Sequence, residues 1–422
     1  MSSQAKGSEA KRGRAVPVNS GGRFGAVVRR VLPALLLVLV TVSAAALDAG
    51  GRLRVQGDFE QEEDPRGRMT LNAWTRLFPQ LQGEATAELL IEGTAIFQFD
   101  DFAAADLEYL TARVALPGTL GENSVFRLRG GRYRLRDRVG LIVDHRVDGL
   151  GLGVDYPRLG VRLAGGYTGL LLKQNSSIVM SLGDVTDQFD EFTTTAPPRW
   201  IGQLEVDFPE LFARQTLVLG GIVQHDRRSG DEDTVDTQYG YLGLSGRIAG
   251  GLYYQSGGVF GAVQRKDASP AVDDVSGSMV AASHRFVLFA ESLARSVFTV
   301  RGLYASGSNG DFEDYTPITS VSTIALAPVP TADLLLGSAE YTFRPFFRSQ
   351  SEIARNIGLT AYGVALFDSD PTADDAYHGT EAGGRIALRP FSDIGGSIRV
   401  GAFIPEEGDV TVRGRVEFST SF

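Results

Sequence analysis

The sequence predicts an all-β protein: a closed antiparallel transmembrane β-barrel of about 18 strands, with 16 strands as the alternative. Segments of roughly ten residues alternate apolar with polar side chains along most of the chain, as membrane-spanning strands do. No apolar run beyond residue 46 is long enough for a membrane-spanning helix, and Gly is abundant, at 51 of 422 residues. In a membrane, closed β-structure is then the remaining way to pair the backbone polar groups.

Residues 1–46 are predicted to form a secretory signal peptide. Seven basic residues and a single acidic one precede an apolar run at 31–42, which is followed by small residues with the Ala-x-Ala spacing of a cleavage site. The apolar run is too short to cross a bilayer as a helix. Cleavage is expected after Ala46, or alternatively after Ala49, which leaves 47–422 as the transmembrane barrel.

The composition excludes several kinds of site. The chain contains no Cys, which rules out disulfides, thiolate metal ligands and a lipid-bearing cysteine. The predicted signal peptide holds seven of the 41 basic and one of the 51 acidic residues, so the remainder keeps 34 and 50, a net charge of −16. Such acidity argues against nucleic acid as a partner, because binding phosphates requires a basic surface. We expect no cofactor and no metal ion.

The alternating segments give eighteen candidate strands in order along the chain. Their predicted bounds are 51–60, 66–78, 84–98, 105–116, 124–136, 146–156, 159–170, 198–207, 214–225, 236–247, 250–264, 275–290, 296–306, 332–346, 356–368, 378–390, 393–404 and 409–422. Connections after the even-numbered strands are mostly short, whereas those after the odd-numbered strands are longer and acidic, the longest being 171–197 and 307–331. Short periplasmic turns and long external loops distinguish the ends of such barrels, so both termini are predicted to be periplasmic.

The alternation assigns a face to each side chain. In the first strand Leu53 and Val55 point to one side, while Arg52 and Arg54 point to the other. An Arg at the bilayer midplane costs about 2 to 4 kcal/mol, so the charged face is predicted to line a polar lumen. The same argument over all strands predicts a pore lining of Arg52, Arg54, Arg66, Arg68, Glu88, Glu92, Arg127, Arg129, Arg132, Arg134, Arg136, Arg385, Arg389, Arg399, Arg413 and Arg415.

Two arginine clusters stand out in that lining. The five arginines between 127 and 136 change parity at Gly130–Gly131, and a β-bulge there is expected to keep them all on one face. Closure of the last strand on the first is expected to bring Arg413 and Arg415 beside the arginines of the first strand, as a contiguous basic wall. Rings of Arg select anions in pores. Two alternatives stay open: Arg simply fills a wet interior, or the acidic external loops attract cations.

The last strand resembles a known family. Residues 410–422 alternate apolar or small with polar side chains and end on Phe422. A closing strand that ends in an aromatic residue resembles the C-terminal signature of bacterial outer-membrane β-barrels. The resemblance implies an outer-membrane location, contact with its lipid, and insertion by the barrel-assembly machinery, with Phe418 and Phe422 as the assembly signal. Residues 131–152 are also loosely similar to a stretch of alginate-export-type barrels, which have Arg-rich lumens.

These observations predict a porin-like channel that passes small hydrophilic solutes, anionic ones included, through an Arg-lined lumen by passive diffusion. A surface-display or adhesion barrel, which binds a partner through its acidic external loops, stays open as an alternative, as does a polysaccharide-export barrel. Loops 171–197 and 307–331 either fold inward and narrow the pore or stay as mobile external loops. Both a monomer and a homo-oligomer fit the sequence.

The sequence argues against an enzyme. The four His residues, at 145, 225, 284 and 378, stand apart, and none falls in a helix-borne metal motif or a nucleophile elbow. His225 and His378 do lie near acidic residues at external strand ends, where outer-membrane proteases keep acid–His pairs. Such pairs also arise by chance in acidic loops.

Overall fold

The computed structural model describes residues 46–61, 65–79, 81, 84–98, 102–179, 184, 193–228, 233–266, 274–308, 311–370 and 376–422. The predicted signal peptide lies outside these residues, apart from Ala46. The strands are β1 (Ala46–Glu60), β2 (Arg66–Phe78), β3 (Thr86–Gln98), β4 (Phe102–Pro117), β5 (Val125–Arg136), β6 (Asp144–Tyr156), β7 (Leu159–Tyr167), β8 (Arg199–Phe212), β9 (Gln215–Asp226), β10 (Thr234–Ala249), β11 (Leu252–Lys266), β12 (Val275–Ala290), β13 (Ser296–Ala305), β14 (Leu334–Phe343), β15 (Ile357–Phe367), β16 (Tyr377–Leu388), β17 (Ile394–Pro405) and β18 (Thr411–Ser421). A 3-10 turn, Lys173–Asn175, and a one-turn helix, α1 (Glu352–Arg355), interrupt them.

Each strand pairs antiparallel with its neighbours in sequence, and β18 pairs back onto β1. The sheet is therefore closed and has no free edge. The predicted closed barrel of 18 strands is confirmed, and the 16-strand alternative is wrong. Within the described ranges, no helix is long and apolar enough to cross a membrane.

The two faces of the sheet differ in chemistry. Leu150, Phe260 and Ile386 are each more than half exposed on the outside of the barrel. Such a broad apolar exterior needs lipid to cover it. Arg385, one residue away from Ile386, borders a cavity of the lumen. The period of two in a strand thus sorts apolar side chains outward and polar ones inward.

The seam between β1 and β18 is closed by the end of the chain. Val55 lies opposite Phe418, and Gly51 and Phe422 exchange backbone hydrogen bonds of 2.8 and 3.0 Å. A Cβ on Gly51 would lie 2.4 Å from the Phe422 ring, so the terminal ring packs directly on the glycine. Both phenylalanines are exposed. Their role as an assembly signal stays a prediction.

The hairpin formed by the ends of β5 and β6 leaves the barrel wall and enters the lumen. β4 pairs with β5 only as far as Arg132, and β7 pairs with β6 only from Asp148, so the residues between pair with each other alone. A contact from across the barrel places the tip inside it, because the Gln255 side chain on β11 donates to the Arg138 carbonyl at 2.9 Å. We call residues 132–148 the lumen hairpin.

Opposed glycines permit this bend. Gly131 has a φ of +102°, in the left-handed region, and lies opposite Gly149 in the ladder. A Cβ on Gly131 would lie 2.0 Å from the Leu110 carbonyl oxygen, and one on Gly149 would lie 1.9 Å from that of Gly165. Neither ladder of β5 shifts register at Gly130–Gly131, so the predicted β-bulge is wrong. The glycines instead mark the point where the hairpin leaves the wall.

The lumen hairpin and part of the β13–β14 connection form an apolar core inside the barrel. The Ile318 N–H donates to the Ile142 carbonyl at 2.8 Å, and the Tyr315 hydroxyl donates to the Leu141 carbonyl at 2.9 Å. Buried side chains on the inward faces of β8 to β15 complete this core. We call residues 311–330 the lumen loop. Of the two alternatives left open for this loop, inward folding is the one observed.

Replacing Gly131 by Ala should destabilise the barrel. Ala is strained at a φ of +102°, and its Cβ would clash with the Leu110 carbonyl oxygen. We expect the free energy of unfolding to fall by about 1 to 3 kcal/mol, measured by urea titration of tryptophan fluorescence in lipid. The control is Gly302→Ala, where nothing lies within 4 Å of the added Cβ. Equal stability of the two variants would contradict the role assigned to the bend.

Candidate functional site: an arginine-lined constriction

One carboxylate shapes the tip of the lumen hairpin, residues 137–143. Asp137 is buried and accepts four backbone hydrogen bonds of 2.5 to 3.3 Å from this short segment. The donors are the N–H groups of Gly140, Leu141, Ile142 and Val143. Charge-assisted bonds of this kind fix a turn in one conformation. Asp137 therefore holds the flanking Arg136 and Arg138 at defined places in the lumen.

Arg136 lies at the centre of the open space around the tip. It lines three cavities, of about 490, 630 and 740 Å³. Its side chain is 66% exposed, and its Nε lies 3.7 Å from Asp144. Arg138, by contrast, is held by Glu205 at 3.1 Å and Asp207 at 3.4 Å. The tip thus offers one accessible guanidinium, at Arg136, and one that acids neutralise.

The 490 Å³ cavity is bordered by arginines on the inward face of the barrel. Arg285 on β12 lies directly opposite Arg301 on β13, and Arg385 on β16 lies opposite Arg399 on β17. We call these four residues the arginine row. Like charges opposite each other destabilise a sheet, so folding alone does not favour this arrangement.

Part of the row keeps its charge uncompensated. In the described part of the chain, Arg285 and Arg385 have no ion pair or hydrogen-bond partner. Two carboxylates, Asp144 and Glu340, also border the cavity, and Asp144 is already bonded to Arg134. The cavity is therefore polar, with a local excess of positive charge.

The lumen loop covers this cavity, and side chains of the barrel wall hold the part of the loop that follows Thr319. Arg301 donates from Nη1 to the Ser322 carbonyl at 2.5 Å. Glu381, a buried inward-facing residue of β16, accepts the N–H groups of Leu326 at 2.8 Å and Ala327 at 2.7 Å. Hydrogen bonds to a charged acceptor are stronger than neutral ones. Glu381 thus anchors the loop at residues 326 and 327.

Tyr362 connects that anchor to the arginine row. Its hydroxyl donates to Glu381 at 2.7 Å, and the Arg399 guanidinium lies 4.6 Å from the centre of its ring. One guanidinium nitrogen of Arg399 is buried without a hydrogen-bond partner.

In the lumen loop itself, burial raises the pKa of the Tyr315 hydroxyl well above its usual range. Tyr315 therefore stays neutral inside the barrel.

The predicted basic wall at the seam is wrong. The register of β18 on β1 places Arg415 opposite Asp58 and Arg413 opposite Glu60. Arg415 Nε lies 2.6 Å from Asp58, and Arg413 pairs with Glu60. Arg54 lies 3.4 Å from Glu417. Acids therefore separate the arginines, because the strands are offset by several residues from the expected alignment. Arg52 has Ser421 as its neighbour on β18.

The arginines of β5 divide between the wall and the lumen hairpin. Before the bend, Arg127 pairs with Asp155 at 2.6 Å, and Arg129 stacks 3.7 Å above the Tyr133 ring. Arg127 is therefore neutralised, whereas Arg129 keeps its charge against an aromatic face.

Beyond the bend, acids compensate most of the charge. Arg132 is buried between Asp148 at 2.9 Å and Asp106 at 3.3 Å, which fixes the base of the hairpin. Arg134 is bonded to both oxygens of Asp144. The five arginines therefore do not share one face. Of the three on the hairpin, Arg134 and Arg136 both stay more than half exposed, but Asp144 bonds Arg134 directly and lies 3.7 Å from Arg136.

The acids of the predicted lining have partners. Glu88 on β3 lies 3.9 Å from Arg76 and 3.5 Å from Arg113. Glu92 accepts a hydrogen bond of 3.2 Å from Asn72. Glu88 thus balances basic side chains on the β2 to β4 side of the lumen, whereas Glu92 is held by a neutral amide.

Three further predicted lining residues lie in different settings. Arg66 is opposite Asp58 in the ladder between β1 and β2. Arg68 has a buried Nε without a hydrogen-bond partner. Arg389 lies just past the end of β16, in a turn, and donates from Nε to the Ser392 carbonyl at 3.1 Å.

A buried ion cluster anchors the connection between β7 and β8. Asp184 bonds both Arg199 and Arg228, and Arg199 Nε also lies 3.6 Å from Asp226. All four side chains are at most 4% exposed. Removing one member would leave a buried charge without a partner.

Each of the two external His residues lies beside one Asp. His225 lies 3.1 Å from Asp236, and His378 lies 2.5 Å from Asp368. Across the described residues, no cluster of three or more potential metal ligands occurs.

Sequence reasoning misses the lumen hairpin and half of the arginine row. The tip at 137–143 contains an apolar run, which is unusual in a loop exposed to water and could have indicated burial. Arg285 and Arg301 alternate with the outward-facing Phe286 and Val300, so the parity argument also assigns them to the lumen.

The sequence matches no protein-family model and no curated protein. Its fold is similar to crystal structures of Pseudomonas aeruginosa outer-membrane barrels. OccK11 (OpdR) has a TM-score of 0.56 at 12% identity, over 89% of this chain and 96% of that one. The outer membrane protein OpdK has a TM-score of 0.56 at 10% identity, over 89% of this chain and 99% of that one. OpdL has a TM-score of 0.57 at 14% identity, over 90% of this chain and 99% of that one.

The chain thus shares its closed barrel fold with these outer-membrane proteins. At the level of the fold, this confirms the resemblance seen in the closing strand. At identities of 10 to 14% the likeness concerns the fold alone. The porin-like barrel and its contents, the lumen hairpin and the lumen loop, are therefore the basis for inferring function.

Glu381→Gln should loosen the lumen loop, because the amide offers only one acceptor oxygen and no charge. We expect a loss of about 1 to 3 kcal/mol in loop anchoring, seen as faster proteolysis within 311–330 and noisier single-channel current. The matched control is Glu340→Gln, a lumen acid that accepts only from Thr342. If both variants behave like the wild type, Glu381 is not the anchor.

Proposed function

We propose that this protein is an outer-membrane channel that passes small organic anions by passive diffusion. The observation that carries the proposal is the arginine row beside Arg136, around a 490 Å³ cavity beneath the lumen loop. A cavity of this size matches small-molecule sites. Guanidinium groups bind carboxylates through two parallel hydrogen bonds, which favours anions over neutral solutes of equal size.

The distribution of compensated charge supports selectivity for anions. Acids pair with Arg54, Arg413 and Arg415 at the seam and with Arg127 on the β5 wall, whereas Arg285 and Arg385 have no such partner in the described residues. If Arg merely filled a wet interior, compensation would be even throughout. A carboxylate solute would supply the missing partner, and exchange between neighbouring guanidiniums would let it move on.

One of the structures with a similar fold supports a small carboxylate as the solute. OpdK has been crystallised with vanillate, a small aromatic carboxylate. The lumen hairpin and the lumen loop narrow the barrel, which favours small solutes over a polysaccharide chain. We also propose that residues 1–46 are the signal peptide that directs export, and that Phe418 and Phe422 are the signal for barrel assembly. Both termini are then periplasmic.

The arginine row should set the ion preference. Wild-type protein in planar bilayers should give discrete current steps, with a reversal potential in a salt gradient that shows anion preference. Arg285→Gln with Arg385→Gln should lower the anion-to-cation permeability ratio by roughly three- to tenfold, as expected for about 0.7 to 1.4 kcal/mol of lost attraction.

The charge-matched control is Arg158→Gln with Arg214→Gln, in two-residue turns outside the lumen. This control should keep the wild-type ratio. Cation preference in the wild type, or equal ratios for the two double variants, would refute the proposal of anion selection. Well-folded protein without any conductance would refute the channel itself.

A further inference from the structure

One turn at the short-loop end of the barrel is much longer than the others. The connection between β14 and β15 has 13 residues, 344–356, and contains α1. The other seven connections at this end have two to seven residues. This turn takes no part in the contacts that shape the lumen hairpin, the lumen loop or the arginine row. We therefore expect its extra length to serve a role outside the channel.

This turn forms a continuous surface with the turns beside it. The Arg344 N–H donates to the Ala294 carbonyl at 2.9 Å, which joins it to the β12–β13 turn. On its other side, Ile357 pairs with Leu388 at the edge of the β16–β17 turn. We call the turns 291–295, 344–356 and 389–393 the rim surface.

The rim surface is basic and its charge is available. Five exposed arginines lie on it: Arg295, Arg344, Arg348, Arg355 and Arg389. Only three acids accompany them: Glu291, Glu352 and Asp393. No ion pair joins any of these arginines to a carboxylate in the described residues. Elsewhere at this end, the two-residue turns carry single arginines, such as Arg158 and Arg214.

Large apolar side chains lie among these arginines. Leu293, Phe346, Ile353 and Phe391 are 48 to 61% exposed. Water is a poor environment for four such side chains on adjacent turns. Their position at the end of the barrel, beside the guanidinium groups, is that of residues which contact lipid at a membrane interface.

The outer face next to this surface shows the level of the membrane interface. Tyr341 and Phe343 stack with ring centres 5.3 Å apart, and Tyr341 lies opposite the outward-facing Phe298. Aromatic girdles of this kind lie at the headgroup level of barrels. Arg344 follows Phe343 directly, which puts it at the level expected for lipid phosphates.

We propose that the rim surface binds anionic phospholipid in the leaflet at this end of the barrel. Phosphate oxygens accept hydrogen bonds from Arg344, Arg348 and Arg355, while the acyl chains cover Phe346 and Ile353. Arginine suits this ligand because its planar group bonds two phosphate oxygens at once. The proposal requires the barrel to lie in a membrane and is independent of solute selectivity.

The test uses the full-length protein in nanodiscs that contain equal amounts of phosphatidylglycerol and phosphatidylcholine. Native mass spectrometry of the protein released from the nanodiscs should show more bound phosphatidylglycerol than bound phosphatidylcholine. Arg344→Gln with Arg355→Gln should lower that excess by roughly fivefold or more, as expected for two lost basic contacts at a membrane surface. Anion permeability should not change, which separates this result from failure of the channel proposal.

The control with the same net charge is Arg158→Gln with Arg214→Gln, which should keep the wild-type excess. Equal retention of the two lipids by the wild type, or an equal loss in both variants, would overturn the proposal. Displacement of phosphatidylglycerol by lipid A, or by inorganic phosphate alone, would also overturn it, by showing a different anion source. Heat-modifiable gel mobility confirms folding of each variant.

Discussion

The whole structure depends on closure of the sheet, because hydrocarbon offers no hydrogen-bond partner to a free N–H or C=O group. The seam of β1 with β18 meets this constraint, because the two strands pair along their length and Gly51 and the terminal Phe422 exchange backbone hydrogen bonds. Once the sheet is closed, each side chain faces either lipid or lumen. The polar lumen is thus a direct consequence of closure.

The same constraint limits how the lumen can be narrowed. A segment that leaves the wall must take its own hydrogen-bond partners with it. The lumen hairpin does so by keeping the β5–β6 ladder beyond the bend at Gly131, and Asp137 satisfies the N–H groups of the tip. The lumen loop has no ladder of its own and is held by separate bonds to the hairpin, to Glu381 and to other wall side chains such as Arg301. The constriction therefore rests on a continuous ladder at the hairpin and on separate bonds at the loop.

Charge compensation divides the lumen into two kinds of wall. At the seam and along β5 to β8, most arginines pair with acids and contribute polarity with little net charge. Along β12, β13, β16 and β17, arginines face one another across the ladder. The second arrangement is costly for folding, and it coincides with the narrowed part of the lumen. That coincidence links the fold to the proposed transport of anions.

The sequence by itself determined the class of fold and the order of the strands, and it limited their number to about 18 or 16, because alternation and turn spacing are local properties of the chain. It did not determine register between distant strands. Arg415 and Asp58 are 357 residues apart, and their pairing decides that the seam is neutral rather than basic. Nor could Gly130–Gly131 distinguish a bulge from a bend, since both need glycine. Contacts as distant as that of Gln255 with Arg138, 117 residues away, decided that the hairpin turns inward and therefore which arginines a solute can reach.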